Sequence, residues 1–173
     1  MFTKASFLKS IALEAKILKH LVAQIPAGQA DWRMTPPQRS TLELLRFLTF
    51  MPYASVEFAL TQGWDKWEGH EAGAKDLQPA DFPKAMDKQI KGITKLLAKL
   101  NDGALKRKTA KHWNGTKMSL GDALVGMVLS TMVAYRMQLF LQVKASGAPH
   151  LTSSDCWQGK AAKAAKAAKA ASA

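Results

Sequence analysis

Apolar residues recur along this chain at steps of three and four, and four stretches keep that spacing long enough to be helices. In the first, Phe7, Leu8, Ile11, Ala15, Leu18, Leu21, Val22 and Ile25 form one stripe, Lys9, Lys16, Lys19 and His20 lie off it, and Pro26 ends it. The second opens on the capping box Ser40-Thr41-Leu42-Glu43 and carries Leu44, Leu45, Phe47, Leu48 and Met51. Pro52, which has no backbone N–H, is expected to kink or split this helix before it resumes through Val56 and Leu60. The third starts near Asp81, tolerates Pro83 in its first turn, and sets Met86, Ile90, Ile93, Leu97 and Leu100 on one face. The fourth, SLGDALVGMVLSTMVAYRMQLFLQVKASG, runs from Ser119 to Gly147 and is apolar on nearly every side. A Ser119/Asp122 capping box opens it, and Gly147 suits the left-handed closing position. No alternation of period two competes, so the expected class is all-α: a single four-helix bundle with connections rich in Pro, Gly, Asp and Trp.

The fourth segment is long enough to span a bilayer, but Arg136 near its middle would cost roughly 2.5–3.5 kcal/mol there. The chain is 22% charged and has no second span, so the soluble bundle is the expected state, with no membrane partner. With 173 residues and 47% hydrophobic content, one domain is long enough to bury a core. The opening MFTKASFLKS has neither the apolar run nor the cleavage site of a secretory signal, and one cysteine, Cys156, excludes an internal disulfide framework. The expected location is cytoplasmic. The connection from Gln62 to Ala80 is long enough to cross the length of a bundle, allowing the second and third helices to run parallel.

The order of these features resembles the DinB-like (YfiT-like) four-helix bundle superfamily. The residues that carry the likeness are IPAGQADWRMTPPQRSTLELLRFL, similar to that family's passage from helix one to helix two, and the whole Ser119–Gly147 helix. Its best motif is Tyr135-Arg136-Met137-Gln138-Leu139, where the family usually reads His-Arg-Gly-Gln and an apolar residue. The likeness covers about Ala5 to Gly159 and implies an up-down-down-up bundle and frequent homodimers. It also implies a divalent metal held by one histidine on helix two and two on helix four spaced by four. Those positions fall on Phe47, Thr131 and Tyr135. Phenylalanine has no lone pair, threonine is a poor neutral ligand, and tyrosine binds well only as a phenolate. No family-type metal site, and no other cofactor, is therefore expected.

The histidines do not rebuild that site. His20, His70, His112 and His150 share no ligand spacing and are expected to be solvent-exposed or locally capping, and Cys156 to be an inert thiol. Glu43 and Glu57 on helix two, with Asp122, Thr131, Tyr135, Arg136 and Gln138 on helix four, can form either a pocket's recognition groups or a network that fixes helix register; the network is the favoured reading. If a pocket exists, Phe47, Thr131, Tyr135, Arg136, Glu43 and Gln138 are its candidate residues. The methionines read as core filler, and Trp32, Trp64, Trp67, Trp113 and Trp157 as covers over the bundle ends rather than pocket walls. Ser154 to Gly159 reads as a turn leading out of the domain.

Two domains of composition follow: residues 1–159 form the bundle, and residues 160–173 a Lys/Ala-rich tail in which Lys160, Lys163, Lys166 and Lys169 recur every three residues. On a helix that period spreads the charge, so the tail is expected frayed. It contributes four positive charges to a formal net charge of +12. That excess favours weak, salt-sensitive contact with polyanions, but no motif for specific nucleic-acid binding accompanies it. Two functional readings remain. The preferred one is a DinB-like bundle that has lost the metal site and acts as a small-ligand-binding or interaction protein. The other is a metal-independent transferase or hydrolase that uses Tyr135 and Arg136 in the same pocket, with thiol-dependent transfer as the substrate class that the resemblance implies.

Overall fold

The structure is a computed structural model that describes residues 2–161. The polyanion contact expected from Lys163, Lys166 and Lys169 lies outside the described residues. Four long elements build the bundle: α1 (Lys4–Val22), the pair α2 (Thr41–Leu48) and α3 (Met51–Thr61), α5 (Phe82–Leu97), and a continuous helix over Leu120–Ala145. This last helix consists of α7 (Leu120–Ala123), a π-helical stretch (Leu124–Leu129) and α8 (Ser130–Ala145). Shorter helices α4 (Trp67–Ala74), α6 (Asp102–Arg107) and α9 (Ser153–Gln158) sit in the connections.

Side-chain contacts give the helix directions. Lys19 at the end of α1 pairs with Asp87 near the start of α5 at 2.6 Å, whereas the Lys4 ammonium at the start of α1 donates to the carbonyls of Leu97, Ala98 and Leu100 at the end of α5; the two helices are antiparallel. Phe2 lies beside Gly121 and Pro26 beside Gly147, so α1 and the Leu120–Ala145 helix are parallel. Arg46 donates to the Leu77 carbonyl, and Tyr53 reaches Gln89 and Gly92 farther on, so α2–α3 runs parallel to α5. The bundle is up-down-down-up, and the long connection that makes the crossover contains α4.

The second helix is split where Pro52 demands it. An uninterrupted helix would pass a hydrogen bond from residue 52 to the Leu48 carbonyl, and proline has no N–H to give. Gln89, 5% exposed, fills the break from α5: its Nε2 donates to the Leu48 carbonyl at 2.9 Å and its Oε1 accepts from the Tyr53 N–H at 3.0 Å. One amide thus satisfies a donor and an acceptor that would otherwise be buried without partners. Beside it, the Tyr53 ring lies so close to Gly92 that a Cβ there would be 2.8 Å away, which brings α3 hard against the backbone of α5.

Three expectations are corrected. A short antiparallel ribbon pairs β1 (Thr109–Lys111) with β2 (Lys117–Ser119), in the register Thr109 with Ser119. With three residues a side, it is too short for an alternating pattern; its signal is Asn114-Gly115, where Gly115 takes φ +88°. Residues Ser154 to Gly159 do not lead out of the domain. Thr152 and Asp155 cap α9, which lies on α1, and Gly159 at φ +60° approaches Ile17 so closely that a Cβ would sit 3.0 Å from its Cα. At the start of α7 the Asp122 N–H donates to the Ser119 hydroxyl at 3.1 Å, and that hydroxyl donates to the Asp122 carboxylate at 2.7 Å, in place of the expected reach to the Ser119 backbone. The far end closes as expected: Gly147 has positive φ, and the Ala148 N–H donates back to the Val143 carbonyl.

Gln89→Leu should destabilise the protein by about 2–6 kcal/mol, because two backbone groups lose partners at about 1–3 kcal/mol each. Urea denaturation measures this, and a loss below that of an ordinary surface substitution would show that water replaces the amide.

Candidate functional site

An open cleft of about 760 Å³ lies between the second helix and α8. That volume is in the range of small-molecule sites. The break at Thr49 and Phe50 shapes one wall, with Phe47 before it and Met51 and Ser55 after it. Thr131 and Tyr135, one helical turn apart on α8, form the facing wall. Trp64 and Asp65 come from the connection, Trp67 and Glu68 from α4, and Trp113 from the turn of the β-ribbon.

Aromatic contacts hold these walls. Phe47 meets Tyr135 edge to face at 5.2 Å; Trp67 meets Phe50 at 5.1 Å and Trp64 at 5.1 Å; Trp64 stacks on Phe58 at 4.2 Å. Such pairs contribute about 0.5–1.5 kcal/mol each beyond the area they bury. Trp64, Trp67 and Trp113 are therefore cleft walls, where covers were expected. The signal in the sequence was their company: Trp64 and Trp67 share one short acidic segment, WDKWE.

Behind the cleft, Glu57 anchors α4. Its carboxylate meets His70 Nε2 at 2.6 Å and Lys66 Nζ at 3.2 Å. Burial pushes the Glu57 carboxyl up, but the hydrogen bonds from His70 and Lys66 outweigh it and hold the group below the usual glutamate range. His20 is likewise paired, with Asp155 at 2.8 Å, tying α9 to α1. Burial raises the Asp155 carboxyl, and hydrogen bonds from His20 and from the Thr152 backbone and hydroxyl bring it below its ordinary value. These two histidines are neither free in solvent nor capping their own helices, because each faces a carboxylate on another helix.

The candidate residues separate into groups. Phe47, Thr131 and Tyr135 share the cleft. Glu43 caps α2, accepting from the Ser40 N–H at 2.7 Å, and pairs with Arg33 at 2.9 Å. Gln138 is half-buried on α8 and does not line the cleft. Arg136, 2% exposed, turns to α1 and α9: its Nε lies 3.3 Å from Glu14 Oε2, and its guanidinium lies over the Trp157 ring at 4.5 Å. The pair is close but misaligned, and Arg136 Nε and Nη2 and Glu14 Oε2 complete no hydrogen bond among the described residues. Burial raises the Glu14 carboxyl and the Arg136 charge opposes that rise, with burial prevailing. Glu14 was missed as this partner, although the spacing Ile11, Glu14, Leu18 places it in the apolar stripe. Cys156 is buried, and burial pushes its thiol up.

No protein-family model matches the sequence, and no curated protein matches it. Among solved structures, the chain is similar to a DinB-like protein, YjoA, from Bacillus subtilis, with a TM-score of 0.62 and 13% identity over 82% of this chain and 92% of that one. The fold is thus DinB-like and all-α. The divalent metal that this fold family implies does not suit the residues present. The cleft wall offers a phenyl ring, a hydroxyl and a phenol where three imidazoles would be needed, and no group of three His, Cys, Asp or Glu gathers around a point among the described residues.

Two outcomes follow from these pairings. Arg136→Met should lower stability by about 3–5 kcal/mol by leaving Glu14 buried and unpaired, and adding Glu14→Leu should restore most of it. An additive double variant in thermal or urea unfolding would show that the two groups do not interact. The Glu57 carboxyl binds its proton less readily folded than unfolded, so its contribution is present above the ordinary glutamate range and is lost as pH falls through the lowered folded value. Glu57→Gln should speed amide exchange across 67–74 about tenfold and flatten that acid loss. Unchanged exchange would show that Trp67 packing alone holds α4.

Proposed function

We propose that this protein is a DinB-like bundle that binds a small, partly apolar ligand in the cleft between Phe47 and Tyr135, and that it works without the metal centre the fold family implies. The observation that carries this reading is the cleft itself, open at the positions where the resemblance assigns metal ligands and lined there by Phe47, Thr131 and Tyr135. A phenyl ring gives a ligand surface to pack on, and the hydroxyls of Thr131 and Tyr135 give it polar contacts; neither arrangement activates water. The transferase or hydrolase reading relied on Tyr135 and Arg136 acting together. It finds no support here, since Arg136 is committed to Glu14 and Trp157 on another side of α8.

The fluorescent probe N-phenyl-1-naphthylamine should bind with one-to-one stoichiometry and quench tryptophan emission, because three indoles line the cleft. Thr131→Phe, which fills the cleft from a half-buried position, should abolish the quench with little change in melting temperature. Elemental analysis should find far less than one zinc or nickel ion per chain. Undiminished probe binding in the filled variant would overturn the cleft assignment, and about one metal ion per chain, lost in Tyr135→Phe with Thr131→Ala, would overturn the metal-free reading.

A further inference from the structure

We propose that the ligand of this cleft is a small organic cation, an amine or quaternary ammonium compound with an apolar body; this rests on the reading of the cleft as a ligand site. Phe47, Trp64, Trp67, Trp113 and Tyr135 line it, and aromatic faces attract cations through their quadrupoles. One face of Phe47 is already taken this way by the Arg39 guanidinium, which lies 4.1 Å from the ring centre and does not line the cleft, so the three indoles and Tyr135 are the rings left to a ligand.

Charge points the same way. The chain has 25 Lys and Arg against 13 Asp and Glu, yet the charged residues lining the cleft are both acidic, Asp65 and Glu68. Neither carboxylate has a hydrogen bond or ion pair with another described residue. Lys66 lies between them in sequence, but its ammonium pairs with Glu57 at 3.2 Å, on the carboxylate that His70 also meets, and it makes no ion pair with either rim carboxylate. The floor also has polar capacity to spare. Ser55 is 2% exposed, and its hydroxyl has only the Met51 thioether as partner, at 3.5 Å. An anion would meet two unpaired carboxylates, and a neutral apolar molecule would gain nothing from them. A cation gains from both the rings and the carboxylates.

The test uses three probes of similar size: benzyltrimethylammonium, neutral N,N-dimethylbenzamide and anionic phenylacetate. Each is titrated into the full chain while tryptophan fluorescence and indole N–H resonances are followed. Benzyltrimethylammonium should bind at least ~10-fold more tightly than either other probe, consistent with cation–π attraction reinforced by the two carboxylates. The exposed pair of changes Asp65→Asn and Glu68→Gln should weaken the cation about tenfold and leave dimethylbenzamide unaffected. Equal or better binding of the neutral or anionic probe, or a charge variant that binds the cation as the parent does, would overturn the cation assignment while leaving the cleft as a ligand site. Failure of all three probes, and of N-phenyl-1-naphthylamine, to move the cleft indoles would overturn both.

Discussion

A missing N–H at Pro52 organises this molecule. A proline inside a helix removes one hydrogen bond and blocks another, and in a buried position those groups must find partners or destabilise the fold. Gln89 supplies both from α5, through the Leu48 carbonyl and the Tyr53 N–H. That bridge fixes the register of the second helix against α5, and Gly92 allows the approach by leaving room for the Tyr53 ring. It also permits a bend between Phe47 and Met51, so that side chains on either side of the break line one cleft. The cleft therefore lies at the break that Gln89 repairs.

The polar groups divide between holding the frame and facing the cleft. Arg136 and Glu14 lie between α8 and α1, His20 and Asp155 between α1 and α9, and Glu57 with His70 and Lys66 between α3 and the α4 segment. The first two pairs join elements distant in sequence and the third ties two consecutive helices; at the buried Arg136–Glu14 pair, losing one partner would leave a desolvated charge. Arg136 and Lys66 are committed to these pairs and do not line the cleft, which is aromatic with an acidic rim. The same allocation separates Tyr135 from Arg136, adjacent in sequence but on different sides of α8.

The likeness of fold at 13% identity to YjoA shows how little of the sequence the bundle requires. Apolar stripes and helix ends suffice for an up-down-down-up arrangement, since many apolar residues of similar size fill a core equally well. Phe47 lies off the face of α2 that packs in the main core and packs instead on Phe50, Trp67 and Tyr135 at the cleft.

What the sequence determined by itself is what near neighbours control. The caps at Ser40 and Ser119, the break at Pro52 and the closure at Gly147 depend on residues within a turn of one another, and the three-and-four spacing marks the buried face of α1 and α5. The facing of Phe47, Thr131 and Tyr135 was legible too, through the likeness of the two long helices. Tertiary structure alone decided the partners. Glu14 meets Arg136, Asp155 meets His20, and Trp113 joins Trp64 and Trp67, because the bundle brings together segments that no local pattern links. A charge on a helix reads alike in sequence whether it faces water or a buried counter-charge, and only the packing of a second element distinguishes them.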